Sequence, residues 1–190
     1  MSKAPTGSID RPAALRSALR SLVAERGLHA TAVSAVAERA GVAAGTLYVH
    51  YPSKDALVLA AYVEVKRELA ESAVARVDHR RPPGERFEEL WMAVHGYLKQ
   101  DPEQARFLLQ IDASPYGSQG AQQQAPEGQN ALGEFIAAPD MSPLLLPLPP
   151  RVLYDLALGP AVRIAANEEI TKEEDLRTVA QACWRAVTVS

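Results

Sequence analysis

Apolar residues recur along most of this chain at spacings of three and four, the period of a helix packed on one side. From Arg11 to Arg26 they are Leu15, Leu19, Leu22 and Val23, with Asp10 placed as N-cap, Pro12 in the first turn and Gly27 just past the end. A second, shorter pattern starts at Thr31, its expected cap, and runs through Val33, Val36 and Ala37 until Gly41 interrupts it. A third covers about Ala43 to His50 and stops at Pro52, whose ring disfavours helical backbone at Tyr51. Ser53 caps a long fourth helix expected from Lys54 to about Asp78, with Leu57, Ala61, Val65, Leu69 and Ala73 four apart.

Arg80-Arg81-Pro82-Pro83-Gly84 breaks the chain before a fifth helix that carries Phe87, Leu90, Trp91, Val94 and Leu98 and ends near Gln100. Asp101, Pro102 and Gln104 form a cap, an N1 proline and an N3 partner for a sixth helix to about Ile111. Between Ser114 and Asn130 stand five glutamines, three glycines and two prolines, a composition that reads as a mobile loop. A short seventh helix is expected over Ala131 to Ala138. The stretch "PDMSPLLLPLPP" puts five prolines in twelve residues and excludes regular helix there. Residues 151–166 form an eighth helix kinked or interrupted at Gly159-Pro160. The ninth has a capping box at Thr171 and Glu174 and a continuous stripe of Leu176, Val179, Ala180, Cys183, Trp184 and Val187. With no strand pattern and no internal repeat, the class is all-α, with about nine helices.

Composition changes this picture in one respect. The chain of 190 residues has a net charge of −3, which taken whole argues against a polyanionic partner. Residues 1–54, however, hold seven Lys or Arg against three acids, and the surplus of acids lies in the rest. A basic module on an acidic body is the layout of a protein that meets nucleic acid at one end. The longest apolar run, Ala56 to Val63, is far short of the ~20 residues a membrane span needs, and the opening residues lack an apolar signal segment, so a cytoplasmic protein without membrane contact is expected. Cys183 is the single cysteine and sits in an apolar stripe, as a buried free thiol does.

The first three helices, packed through Leu19, Val23, Val36 and Leu47, with a turn at Gly41-Val42, describe a helix-turn-helix module. The third helix would enter the major groove of double-stranded DNA, presenting Ala44, Thr46, Val49 and His50 to base edges, while Leu47 and Tyr51 hold it to the core. Tyr48, Thr31 and Lys54 are placed to reach phosphates, Lys54 at a helix N-terminus that itself attracts them. Tyr48 also has a packing role open to it, and His50 could cap the C-terminus of its helix.

The segment "TAVSAVAERAGVAAGTLYVHYPSKDAL" resembles the DNA-binding signature of the tetracycline-repressor (TetR) family over about residues 11–60. In that family a Thr-led helix, an Ala-Gly-Val turn, a Gly-Thr-Leu-Tyr recognition helix and an aromatic-x-Ser-Lys entry to helix four recur. The resemblance implies DNA contact for Thr31, Thr46, Tyr48, His50 and Lys54, and structural roles for Gly41, Val42 and Leu47. It further implies an N-terminal DNA-binding domain, residues 1–54, and a helical effector-binding and dimerisation domain, residues 55–190. The sequence departs from the family pattern at Ala32, Ala43 and Ala44, where polar residues are usual, which costs a helix cap and leaves fewer side-chain hydrogen bonds to bases.

A ligand-responsive repressor is therefore expected, which binds a palindromic operator as a homodimer and is released by a small-molecule effector. By the resemblance the effector enters a cavity among helices four to seven, for which Trp91, Met92, His95, Phe107, Ile111, Tyr116 and Phe135 are the candidates, each of which also suits ordinary core. An apolar or aromatic compound fits such walls. The last two helices are the expected dimer interface, through Leu153, Leu156, Leu176, Val179, Ala180, Cys183, Trp184 and Val187, because their stripe is too apolar to face solvent. His29, His50, His79 and His95 make no i, i+4 metal pair, and neither a nucleotide-binding glycine motif nor a nucleophile elbow is present, so an enzyme, a metal and a cofactor are not expected. The rival reading is a dimeric helical scaffold that has lost specific DNA binding.

Overall fold

The computed structural model describes residues 10–124, 131–167 and 172–189. Among these the helices are α1 (Arg11–Arg26), α2 (Val33–Arg39), α3 (Ala44–His50), α4 (Lys54–Val74), α5 (Pro83–Gln100), α6 (Pro102–Asp112), α7 (Pro115–Gln124), α8 (Ala131–Ile136), α9 (Pro150–Ala157), α10 (Gly159–Asn167) and α11 (Glu173–Val187), with a 3-10 turn at Ser142–Leu144. The all-α expectation holds. The only strand-like pairing among the described residues is a bridge between Leu145 and Thr188, flanked by Leu146 N–H to the Val187 carbonyl and Val189 N–H to the Leu144 carbonyl. It folds the end of α11 onto the proline-rich turn.

Local chemistry explains most helix ends. The Asp10 side chain accepts from Ala13 N–H at 3.2 Å, and Ser53 Oγ from Ala56 N–H at 3.1 Å. Asp101 accepts from both the backbone and the side-chain nitrogen of Gln104. Each satisfies a donor that a helix N-terminus otherwise leaves open. Gly27 and Gly41 have φ of 89° and 67°, backbone that a side chain resists, and there α1 and α2 stop.

Four expectations need correction. The helix count exceeds nine because the chain breaks at Leu158, so that interruption is the outcome found before Gly159-Pro160, and because the glutamine-rich segment contains α7, which packs on α4 and α6. The fourth helix ends at Val74 rather than near Asp78. Thr31 does not cap α2, whose N-cap is Ala32 with no side-chain bond. The ninth expected helix begins at Glu173 after Lys172, while Thr171 of the capping box lies outside the described residues.

The core is continuous from head to body. α5 and α10 lie at its centre, α5 against α4, α10 and α11, and α10 against α6 as well. Trp91, Phe107, Leu98, Leu108 and Ile111 are almost wholly buried there, and truncating the largest of them to alanine would cost about 3–5 kcal/mol. α1 packs on both α4 and α6, so the three N-terminal helices sit directly on the body. α4 runs without interruption through the expected boundary at residues 54 and 55.

Candidate nucleic-acid interface and cavity

α2 and α3 are joined by a tight turn in which Gly41 N–H bonds to the Glu38 carbonyl and Val42 N–H to the Ala37 carbonyl, each at 3.0 Å. The left-handed backbone at Gly41 lets the chain reverse within two residues. Leu47 is fully buried and anchors α3 to α1 and α2. Tyr51 is buried as expected, and its hydroxyl accepts from Arg16 Nη1 at 2.7 Å and donates to the Pro12 carbonyl at 3.3 Å, fixing the end of α3 to α1.

The opposite side of α3 is open. Tyr48 is 59% exposed and Val49 78%, Ala44 and His50 are exposed, and Thr46 is half-buried. Two large side chains, Tyr48 and Val49, are thus presented to solvent on this short helix. Thr31 does not belong to this open surface. Its side chain is 1% exposed, and its hydroxyl donates to the Gly27 carbonyl at 2.8 Å, so Thr31 locks the α1–α2 loop and is not free for a phosphate. Lys54 is half-buried with Nζ donating to the Leu28 carbonyl at 3.0 Å, which leaves two of its three N–H donors for a partner.

Much of the basic surplus in residues 1–54 is engaged inside the protein. Arg16 and Arg20 both bind Glu64 of α4, at 2.7 Å and 2.6 Å, and Arg39 makes a two-pronged pair with Glu25 of α1. Burial works to raise the Glu64 carboxyl, but the bonds and charges of Arg16 and Arg20 outweigh it and hold the group below the usual carboxylate range. These arginines set the posture of α1 and α2 on the body.

A cavity of about 510 Å³ opens between α4, α5, α8 and α9, with the end of α11 as its floor. That size is ordinary for a small-molecule site. Phe87, Leu90, Phe135, Met141, Leu153 and Val187 make most of its wall, and Tyr62, Lys66, Arg151 and Tyr154 supply its polar groups. Tyr62 donates to Asp112 Oδ1 at 2.6 Å; burial first and then the Asp112 charge push its phenol well up, so it stays a donor. Arg151 is occupied, with Nε on the Asp155 carboxylate and Nη2 on the Asp112 carbonyl at 2.6 Å.

Of the residues expected to line an effector site, only Phe135 lines this cavity. Trp91, Phe107 and Ile111 are packed core, and His95 lies buried and parallel to the Trp91 ring, 6.0 Å between centroids. Met92 is half-buried against that core, and Tyr116 donates its hydroxyl to Asp55 at 2.6 Å at the start of α4. α5 turns Phe87 and Leu90 to the cavity and its other apolar face to α10, which the aromatic pattern alone does not distinguish. Tyr62 and Lys66, four apart on α4, were the available sequence signal, since that spacing puts the lysine beside the tyrosine on one helix face.

The expected dimer residues also fall differently. Leu176, Ala180, Cys183 and Val187 are buried within the chain itself, so the apolar stripe of α11 is intramolecular core. Burial raises the Cys183 thiol above its ordinary value, as suits an inert buried cysteine. Leu153 and Val187 line the cavity, and Val179 and Trp184 are partly covered, the Trp184 ring 5.3 Å from that of Phe87. Leu156, 41% exposed, is the member of the set left on the surface.

Comparison with known proteins agrees with this geometry. Residues 15–61 match the family model described as bacterial regulatory proteins, tetR family, and residues 82–188 match that of the tetracyclin repressor-like C-terminal domain. An uncharacterized HTH-type transcriptional regulator of Haemophilus influenzae is 25% identical over 176 residues, which cover 90% of this chain and 92% of that one. A solved TetR-family transcriptional regulator from Haemophilus influenzae superposes with a TM-score of 0.75 at 24% identity, covering 97% of this chain and all of that one. A tetR family transcription regulator from Shewanella sp. PV-4 gives 0.77 at 28% identity, covering 95% and 99%. With both family models matched in order over most of its length, the chain belongs to the TetR family of transcriptional regulators, which are not enzymes.

Proposed function

We propose that this regulator is a ligand-responsive repressor that binds a palindromic operator as a homodimer and leaves it when a small molecule fills the cavity. The observation that carries the reading is a run of side-chain bonds from cavity to head. Tyr62 on the cavity wall holds Asp112 of α6, and two residues earlier Gln110 donates to the Val23 carbonyl at 2.8 Å and accepts from Leu28 N–H at 3.0 Å. The Leu28 carbonyl in turn receives Lys54 Nζ. A ligand that shifts α4 or α6 must therefore shift the loop that carries α2 and α3. Coupling of about 1–3 kcal/mol between the two sites would change affinity about 5–150-fold, equally in both directions.

In this reading residues 1–54 read DNA and residues 55–190 bind effector and partner. Two α3 helices of a two-fold dimer would enter successive major grooves about 34–36 Å apart. Thr46 and His50 supply hydrogen bonds to base edges, Val49 apolar contact with thymine methyl groups, and Tyr48 and Lys54 phosphate contacts. Outside α3 the exposed large apolar side chains among the described residues are Val152, Leu156 and Val189, the surface a second copy would cover.

One observation favours the scaffold alternative: Arg16, Arg20 and Arg39 are committed to internal ion pairs, and Ala43 gives α3 no side-chain cap. Fluorescence anisotropy with duplexes selected from a random pool decides between the two. The repressor reading expects binding that weakens steeply with salt, and Lys54→Ala should flatten the log–log slope by roughly one. Failure to enrich any duplex, or affinity indifferent to salt, would favour the scaffold.

A further inference from the structure

The cavity holds a charge that the rest of the molecule does not use. Lys66 Nζ stands 3.3 Å from the centroid of the Tyr154 ring and 5.8 Å from that of Tyr62, and it makes no hydrogen bond or ion pair among the described residues. The acids closest to it in charge are already engaged: Asp112 by the Tyr62 hydroxyl and Asp155 by Arg151. The Tyr154 hydroxyl, on the same ring that Lys66 covers, is buried and has no hydrogen-bond partner among the described residues. A buried hydroxyl without a partner is destabilising, and an ammonium without one more so. Two donors thus lie together at one end of a cavity whose remaining wall is Phe87, Leu90, Phe135, Met141 and their neighbours.

We infer that the cavity is built for an amphipathic anion, whose carboxylate accepts from Lys66 Nζ and Tyr154 Oη while its hydrocarbon body lies against Phe87, Leu90, Phe135 and Met141. This rests on the reading of the cavity as the effector site and replaces a purely apolar ligand by a charged one. The ammonium lies over the ring whose hydroxyl is the second donor, so the two belong to one corner of the cavity. Arg151 is turned to other partners, with Nε on Asp155, Nη2 on the Asp112 carbonyl and Nη1 3.9 Å from Asp112 Oδ1. Gly117 keeps it so: a Cβ there would come within 2.7 Å of Arg151 Nη1 and 2.9 Å of the Asp112 carbonyl.

The test is calorimetric titration of the full chain, without DNA, with octanoate, decanoate and dodecanoate below their aggregation limits, beside the matching primary alcohols. The expected result is one site per chain, at least one carboxylate binding tenfold or more tighter than its alcohol. Lys66→Met and Tyr154→Phe should each lower carboxylate affinity about tenfold and leave the alcohol unchanged. Equal affinity for acid and alcohol, no binding of any of the three acids, or a Lys66→Met variant that binds the acid as before would overturn the inference. Binding that follows the expected pattern but leaves operator affinity unmoved supports the anion site and refutes the effector reading instead.

Discussion

Lys66→Met should make the protein more stable, and the size of the gain follows from where the ammonium sits. Desolvation by the cavity wall, opposed by the Asp112 charge, pushes the Lys66 amine down to about 8 from its ordinary 10.5. Below about pH 8 the group is charged in folded and unfolded chain alike, and the folded state bears the whole penalty. Between about 8 and 10.5 the folded chain gives up its proton first, so stability rises with pH, and above 10.5 the penalty is gone. At about 1.4 kcal/mol per pH unit the interval comes to about 3 kcal/mol, an upper figure because the residue still meets some solvent. Methionine fills much the same volume without the charge. Urea unfolding of both proteins, followed by circular dichroism at one fixed protein concentration, should give the variant up to about 3 kcal/mol more stability at pH 7 and less than about 1 at pH 10. A variant no more stable at pH 7, or a gain undiminished at pH 10, would refute the reasoning. The expected outcome also carries a functional implication, since a lysine kept against its own stability belongs to a site that needs the charge.

Gln110→Ala removes the bonds to Val23 of α1 and to Leu28 of the α1–α2 loop and should cost about 1–3 kcal/mol, while operator affinity becomes insensitive to any ligand of the cavity; full ligand response in the variant would exclude that route. Leu156→Glu should give monomers in sedimentation at micromolar concentration without loss of helicity, whereas Val187→Glu, at a buried position, should unfold the chain. Carboxylate affinity should fall as pH rises through about 8, as Lys66 loses its proton; of the other groups at that end, Asp112 is bonded by Tyr62 and Asp155 by Arg151, and burial pushes the Tyr62 and Tyr154 phenols up, so pH-independent affinity from 7 to 9.5 would locate the anion elsewhere, with Lys66→Met the control.

What the sequence made legible was whatever depends on neighbouring residues. Asp10, Ser53 and Asp101 cap the helices they precede, Gly41 takes the left-handed turn, and Leu47 and Tyr51 point inward, because spacing and backbone chemistry settle such features locally. The misreadings arose where a pattern has two physical outcomes. An apolar stripe like that of α11 satisfies itself equally against its own chain or another copy. α7 is poor in apolar residues but is held by packing on α4 and by the Tyr116–Asp55 bond, partners that lie far away in sequence. The cavity was missed because bulky aromatics such as Trp91 and Phe107 mark where packing succeeds, whereas a void is defined by atoms that fail to meet. Thr31 has the residue type of a cap, and its fate was decided by the carbonyl of Gly27 lying within reach.

The seat of α1 on α6 has a consequence for how such a protein can be recombined. Glu64, which fastens Arg16 and Arg20, and Gln110, which fastens the end of α1, both belong to the body. A head transplanted from another regulator onto this body would keep its own base preference, yet it would arrive without the arginines and loop geometry that those two residues grip. Such a chimaera would fold and bind DNA while remaining deaf to the cavity, until positions equivalent to Arg16, Arg20 and the Gly27–Leu28 loop were transplanted into it as well. Inheritance of specificity and inheritance of control are thus separable in this molecule, and they are written in different residues of the same three helices.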